Sequence, residues 1–172
     1  MAPQQDVLDR ICALVGEREP LDVLSQTPRE LTRIITQHDE ATLRARPFEG
    51  KWTPLEIIGH LIDHEIVSTY RQRIIRFADD PVIQAYNQEG MVTTLRYNEA
   101  DPPSLLERFE RMRAFNLSEY ATLTHEELER VGRHTRRGEV SLAFVLRSHA
   151  GHDLHHIDQI NRYVQAALEA NA

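Results

Sequence analysis

Four of the nine histidines of this chain fall within eight positions, in "SHAGHDLHHIDQ" from Ser148 to Gln159. Imidazoles gathered in this way can bind a metal, sense pH, or simply crowd one helix face. Helical spacing separates them. At about 100° per residue, His152 lies near 300° from His149, His156 near 340° and His155 near 240°. Val145, Ile160 and Tyr163 share the face of His149, His152 and His156, so that face points inward, with His155 on the flank. His152 and His156 make an H-x-x-x-H pair, two imidazoles one turn apart that can grip one ion. The segment "GHLIDHE" repeats the spacing with His60 and His64. Arg71 lies roughly 20° from His60 around the same helix and joins its stripe, with Asp63 at the edge.

These residues need elements to hold them, and the signals are helical. Thr27, Thr53, Ser104 and Thr124 are each followed three residues later by Glu, which reads as four capping boxes. A helix is expected after Thr27, with Leu31, Ile34 and Ile35 on one face. A long one is expected from Thr53 to about Phe77, stopped by Asp79-Asp80-Pro81. Residues 81–103 lack a steady period and read as a long crossover connection. Further helices are expected from Ser104 to about Leu117, briefly after Thr124, and from near Ser141 to about Leu168. "GRHTRRGEV" reads as a turn or small hairpin, and the first 20 residues as a possible short helix laid on the rest. The expected fold is all-α: one domain spanning 1–172, a four-helix bundle with a long crossover.

Composition narrows the function. The chain has 172 residues, 20 basic against 27 acidic, and a formal net charge of −7. Nucleic acid is therefore excluded as the main partner, since phosphate binding needs a net basic surface. No apolar run approaches the roughly 18 residues of a membrane span. "MAPQQDVLDR" lacks a secretion-type start, so a cytoplasmic location is expected. Cys12, the single cysteine, allows no internal disulfide and no cysteine-based metal site, and reads as a small apolar filler.

Three stretches in order resemble the DinB/YfiT-like family of metal-dependent four-helix-bundle proteins: "GKWTPLEIIGHLIDHE", "RQRIIRFADDPVIQAYNQEG" and "HAGHDLHHIDQI". The resemblance implies one divalent ion on His60, His152 and His156, with zinc or nickel favoured and iron admitted. It also implies open positions for substrate, the mark of a catalytic rather than a closed site. The family includes transferases that use low-molecular-weight thiols of the bacillithiol, mycothiol or glutathione type, and the YfiT branch resembles bacillithiol S-transferases. A homodimer is a further implication.

His64 departs from that pattern and reads as a catalytic base, a fourth ligand or a partner of bound thiol. Asp63 would orient a ligand histidine or form a surface ion pair. Arg71 would clamp a carboxylate or sit in an internal ion pair. Tyr86 would lid the pocket, His149 would line it, and Gln159 would donate to a ligand or pack beside it. His155 is expected in solvent, His38, His125 and His134 are given no role, and Trp52 reads as a staple at the helix entrance. Three functions follow. The first is thiol S-transfer to an electrophilic small molecule. The second is hydrolysis by a metal-bound hydroxide, with His64 or Glu65 as base. The third is a non-enzymatic metal-binding stress protein.

Overall fold

The computed structural model describes residues 3–170. In chain order these form α1 (Pro3–Ala13), α2 (Pro20–Gln37), α3 (Glu40–Arg44), α4 (Pro54–Phe77), β1 (Val82–Ile83), α5 (Gln88–Leu95), a 3-10 turn (Tyr97–Glu99), α6 (Pro102–Tyr120), α7 (His125–Glu129), β2 (Val131–His134), β3 (Gly138–Ser141) and α8 (Leu142–Ala170). α2 and α4 each pack against both α6 and α8, which closes the four-helix bundle, and α1 lies along α8. Leu31 and Ile34 of α2, Leu55, Ile58 and Leu61 of α4, Phe109 of α6 and Ile160 of α8 belong to one buried core. Each such side chain contributes about 1.5–3 kcal/mol by leaving water.

The starts of the helices show which local signals hold. Thr53 and Thr124 form complete capping boxes with Glu56 and Glu127. Ser104 does not begin α6: Asp101 is the cap, accepting from the Ser104 backbone N–H at 2.9 Å. Thr27 does not begin a helix either. It lies inside α2, as does Pro28. Proline has no N–H for the carbonyl four residues back. That carbonyl, on Leu24, instead accepts from the Arg113 guanidinium of α6 at 2.6 Å.

The connection between α4 and α6 is more structured than its irregular pattern suggests. It carries α5 and a strand, β1, that pairs in parallel with β2 (Val82 with Arg133, Ile83 with His134). β2 and β3 form the antiparallel hairpin expected from "GRHTRRGEV". Two glycines permit close packing around the long helices. A Cβ on Gly59 would sit 2.0 Å from the Tyr97 ring, so its absence lets the 3-10 turn lie on α4. A Cβ on Gly151 would sit 2.1 Å from the Ile11 carbonyl oxygen, so its absence admits the α1 backbone against α8. No described helix is long and apolar enough to cross a membrane.

Candidate metal centre

α4 and α8 bring His60, His152 and His156 together. His152 Nε2 lies 3.0 Å from His60 Nε2 and 3.1 Å from His156 Nε2. Three ring nitrogens that meet this closely cannot all carry protons pointed at one another. Burial drives His60 down to about 4, and it holds His152 and His156 well below the ordinary histidine range, with the neighbouring imidazoles adding to the shift at both. The rings are therefore neutral at pH 7. Gln159 fixes one tautomer: His156 Nδ1–H donates to Gln159 Oε1 at 2.8 Å, and Gln159 Nε2 donates in turn to the Tyr163 hydroxyl at 3.0 Å. His156 Nε2 thus presents a lone pair. The Nδ1 atoms of His60 and His152 are buried without a partner. Donors about 3 Å apart suit an ion whose bonds to imidazole are about 2.0–2.1 Å. The residues present fit a divalent metal.

His64 stands beside the triad, not in it. Its ring stacks on His152 with centroids 3.8 Å apart, and its Nδ1 is 3.3 Å from the Tyr86 hydroxyl. Burial first, then the surrounding imidazoles and Arg71, hold it well below its ordinary pKa. Burial raises Tyr86 to about 12, so its phenol keeps its proton. His64, Arg71, Tyr86, His152 and His156 border a cavity of about 470 Å³, closed on one side by Val7, Leu8 and Ile11 of α1. Trp52 packs over the other side of the triad, its ring 4.8 Å from His60 and its N–H donating to Glu89 at 3.1 Å. A staple alone does not describe it.

Several expected positions are corrected. His149 does not line the cavity. It is fully buried behind His64, its Nε2–H donating to Glu65 Oε1 at 2.8 Å and its Nδ1 3.2 Å from the Tyr120 hydroxyl. Asp63 is no surface residue, and its hydrogen-bond partner is not a histidine: its Oδ1 accepts from Tyr97 at 2.6 Å. His155, expected in solvent, is half-buried at the edge of the cavity, and His134, given no role, borders it as well. Arg71 forms no internal ion pair among the described residues.

Glu65 is not a free base. It accepts from Arg113, His149 and Asn116. Burial works against its charge, but His149 and Arg113 outweigh burial and hold it well below the usual carboxylate range. Arg113 also pairs with Asp153 at 2.7 Å, and Thr27 donates to the same carboxylate at 2.6 Å. This second cluster carries its own cation. Nothing in the spacing of the histidines announces it, although Arg113 shares the inward face of α6 with Leu105, Phe109 and Asn116, where a charge needs a partner.

The sequence profile of the DinB superfamily matches residues 24–160. The chain belongs to the DinB superfamily. A Bacillus cereus protein named "Putative metal-dependent hydrolase" is 26% identical over 137 residues, covering 80% of this chain and 79% of that protein. A Bacillus thuringiensis protein of the same description has the same identity and coverage. Among solved structures, YfiT from Bacillus subtilis, described as a probable metal-dependent hydrolase with an unusual four-helix bundle topology, superposes with a TM-score of 0.78 at 20% identity, over 96% of this chain and 89% of that one. A mycothiol-dependent maleylpyruvate isomerase superposes with a TM-score of 0.67 at 12% identity, over 82% of this chain and 59% of that one. These two likenesses concern the fold.

Proposed function

We propose that this DinB-superfamily chain is a divalent-metal-dependent thiol S-transferase, joining a low-molecular-weight thiol of the bacillithiol, mycothiol or glutathione type to a small electrophile in the cytoplasm. The observation that carries the reading is the convergence of three neutral imidazoles, with no protein acid among them, two of which, His152 and His156, border a small-molecule cavity together with His64. His60, His152 and His156 would hold the ion, zinc or nickel before iron. A divalent ion held there supplies charge that acidifies a coordinated thiol or water.

The chain's own residues do the rest. Gln159 keeps the His156 lone pair aimed at the triad. His64, with Nδ1–H directed at the Tyr86 oxygen, is too weak a base to rest as imidazolium, so its Nε2 relays the thiol proton to the leaving group, which departs with its bonding pair as the sulfur–carbon bond forms. Stacking on His152 fixes the plane of that base. Val7, Leu8 and Ile11 of α1 form one wall of the cavity, and Trp52 covers His60 on the other side of the triad. The protein supplies no sulfur of its own: burial raises the Cys12 thiol above its ordinary pKa, away from the reactive thiolate. The relatives named as metal-dependent hydrolases favour a second reading, in which His64 deprotonates water in place of the thiol.

Purified protein is expected to carry about one divalent ion per chain. His152→Ala with His156→Ala should abolish that content and lower turnover at least a thousandfold; retained metal removes the ligand assignment. Product mass decides between the readings. Added thiol supports transfer, whereas added water with no dependence on thiol replaces it with hydrolysis.

A further inference from the structure

The cavity that His152 and His156 border also carries a group of arginines. Arg71 of α4 and Arg137 of the β2–β3 turn both border it with Arg136, and the neighbouring His134 stays neutral, lowered to about 4 by burial and then by these arginines. On a chain of net charge −7 this is not a reflection of overall composition. Among the described residues the one acidic side chain bordering the cavity is Glu89, which accepts from the Trp52 indole N–H rather than from either arginine.

Both guanidiniums are partly withdrawn from water, and among the described residues no carboxylate pairs with either. Arg71 Nε is buried with no hydrogen-bond partner, and the guanidinium lies over the Tyr86 ring at 5.6 Å. Burial lowers the pKa of both arginines, and the charge of Arg71 adds to burial at Arg137. Arg113 shows what this protein does with a buried guanidinium that is purely structural: it gives it two carboxylates, Glu65 and Asp153. Among the described residues Arg71 and Arg137 have none. Two like charges held together in a cavity, with donors unused, are offset by an anion that enters from outside. The planar guanidinium fork matches a carboxylate in two-pronged geometry. A cavity of about 470 Å³ has the size of a small-molecule site. Arg71 also shares the α4 stripe of His60 and His64, so an anion held there extends toward the triad.

We propose that Arg71 and Arg137 together bind a carboxylate of the small molecule whose reacting atom lies at the histidine triad. The position of the reacting atom rests on the proposed function; the anion site does not. The carboxylate belongs either to the thiol or to the electrophile, and the choice of probes separates them.

Calorimetric titration of the metal-loaded protein would use succinate, its neutral diamide succinamide, mercaptosuccinate and 2-mercaptoethanol. Succinate and mercaptosuccinate should bind, and Arg71→Gln or Arg137→Gln should each weaken both by about 10- to 100-fold, the value of a hydrogen bond to a charged group. Succinamide should bind no better to wild type than to the variants. Succinate binding should survive His152→Ala with His156→Ala. The proposal is overturned if the Arg71→Gln/Arg137→Gln double variant binds succinate like wild type, if succinamide matches succinate, or if succinate is lost with the two histidines. Mercaptosuccinate bound more tightly than succinate places the carboxylate on the thiol; equal binding places it on the electrophile, and both uphold the clamp. If 2-mercaptoethanol fails to bind while succinate still distinguishes the variants, thiol transfer is wrong and the clamp stands.

Discussion

Two buried polar clusters hang on the same pair of helices, and they balance their charges differently. His60, His152 and His156 contribute three neutral imidazoles, two of them with a buried Nδ1 lacking any partner. Glu65, His149 and Asp153, interleaved with them on α4 and α8, close around the Arg113 guanidinium. By composition alone both sets could hold a metal. The second already has a cation in its centre. The first has none. Burial of polar groups is therefore not what marks a ligand site; an unfinished set of partners is.

The sharpest way to break the contrast is to remove the internal cation. Arg113→Ala should cost about 3–5 kcal/mol in urea denaturation, because it strands two buried carboxylates. Added zinc should recover part of the loss, since Glu65, His149 and Asp153 can then take an ion where the guanidinium was. A loss below about 1 kcal/mol would mean that the network is not what stabilises this end of the bundle.

A smaller effect is expected at the triad. Gln159→Leu leaves the three imidazoles in place but removes the acceptor for His156 Nδ1–H. Metal affinity measured against a competing chelator should fall about 10- to 100-fold, as for other lost partners of ligand histidines. Unchanged affinity would show that packing alone orients the ring.

The smallest effect is a pH dependence of the metal-free protein. His60 titrates at about 4 in the fold against an ordinary 6.5, and burial lowers His134 likewise to about 4. Between those values the unfolded chain binds protons that the folded chain refuses, so stability falls as pH drops from about 6.5 toward 4. Glu65, whose pKa is lowered, contributes stability present above its unfolded value near 4.5 and lost as pH falls further. Denaturation midpoints at several pH values should therefore show two stages. The first should be shallower in the His152→Ala/His156→Ala protein and the second unchanged. A single stage shared by both proteins would join the two clusters into one unit.

Short-range patterns in the sequence carried much of this. Helical spacing places His152, His156 and His60 on inward faces, and complete capping boxes mark Thr53 and Thr124. "TPRE" at Thr27 misleads because the same residues serve the interior: Thr27 donates to Asp153, and Pro28 frees the Leu24 carbonyl for Arg113. These bonds span long stretches of chain, and no local rule reports a partner that far away. The parallel pairing of β1 with β2 is hidden for the same reason. His149 was legible as inward, but which side of His64 it occupies depends on α6 and Tyr120. Asp63 is similar: its partner Tyr97 reaches it only because Gly59 leaves room for the ring.

Gly151 has a consequence beyond packing. By letting α1 rest directly on α8, it makes one wall of the cavity out of a segment that contributes nothing to the histidine triad. Part of the molecular fit is thereby carried on a stretch of polypeptide separate from the histidines. Exchanging Val7, Leu8 or Ile11 for larger or smaller side chains offers a route to redesigning which molecules enter while the reacting groups stay untouched.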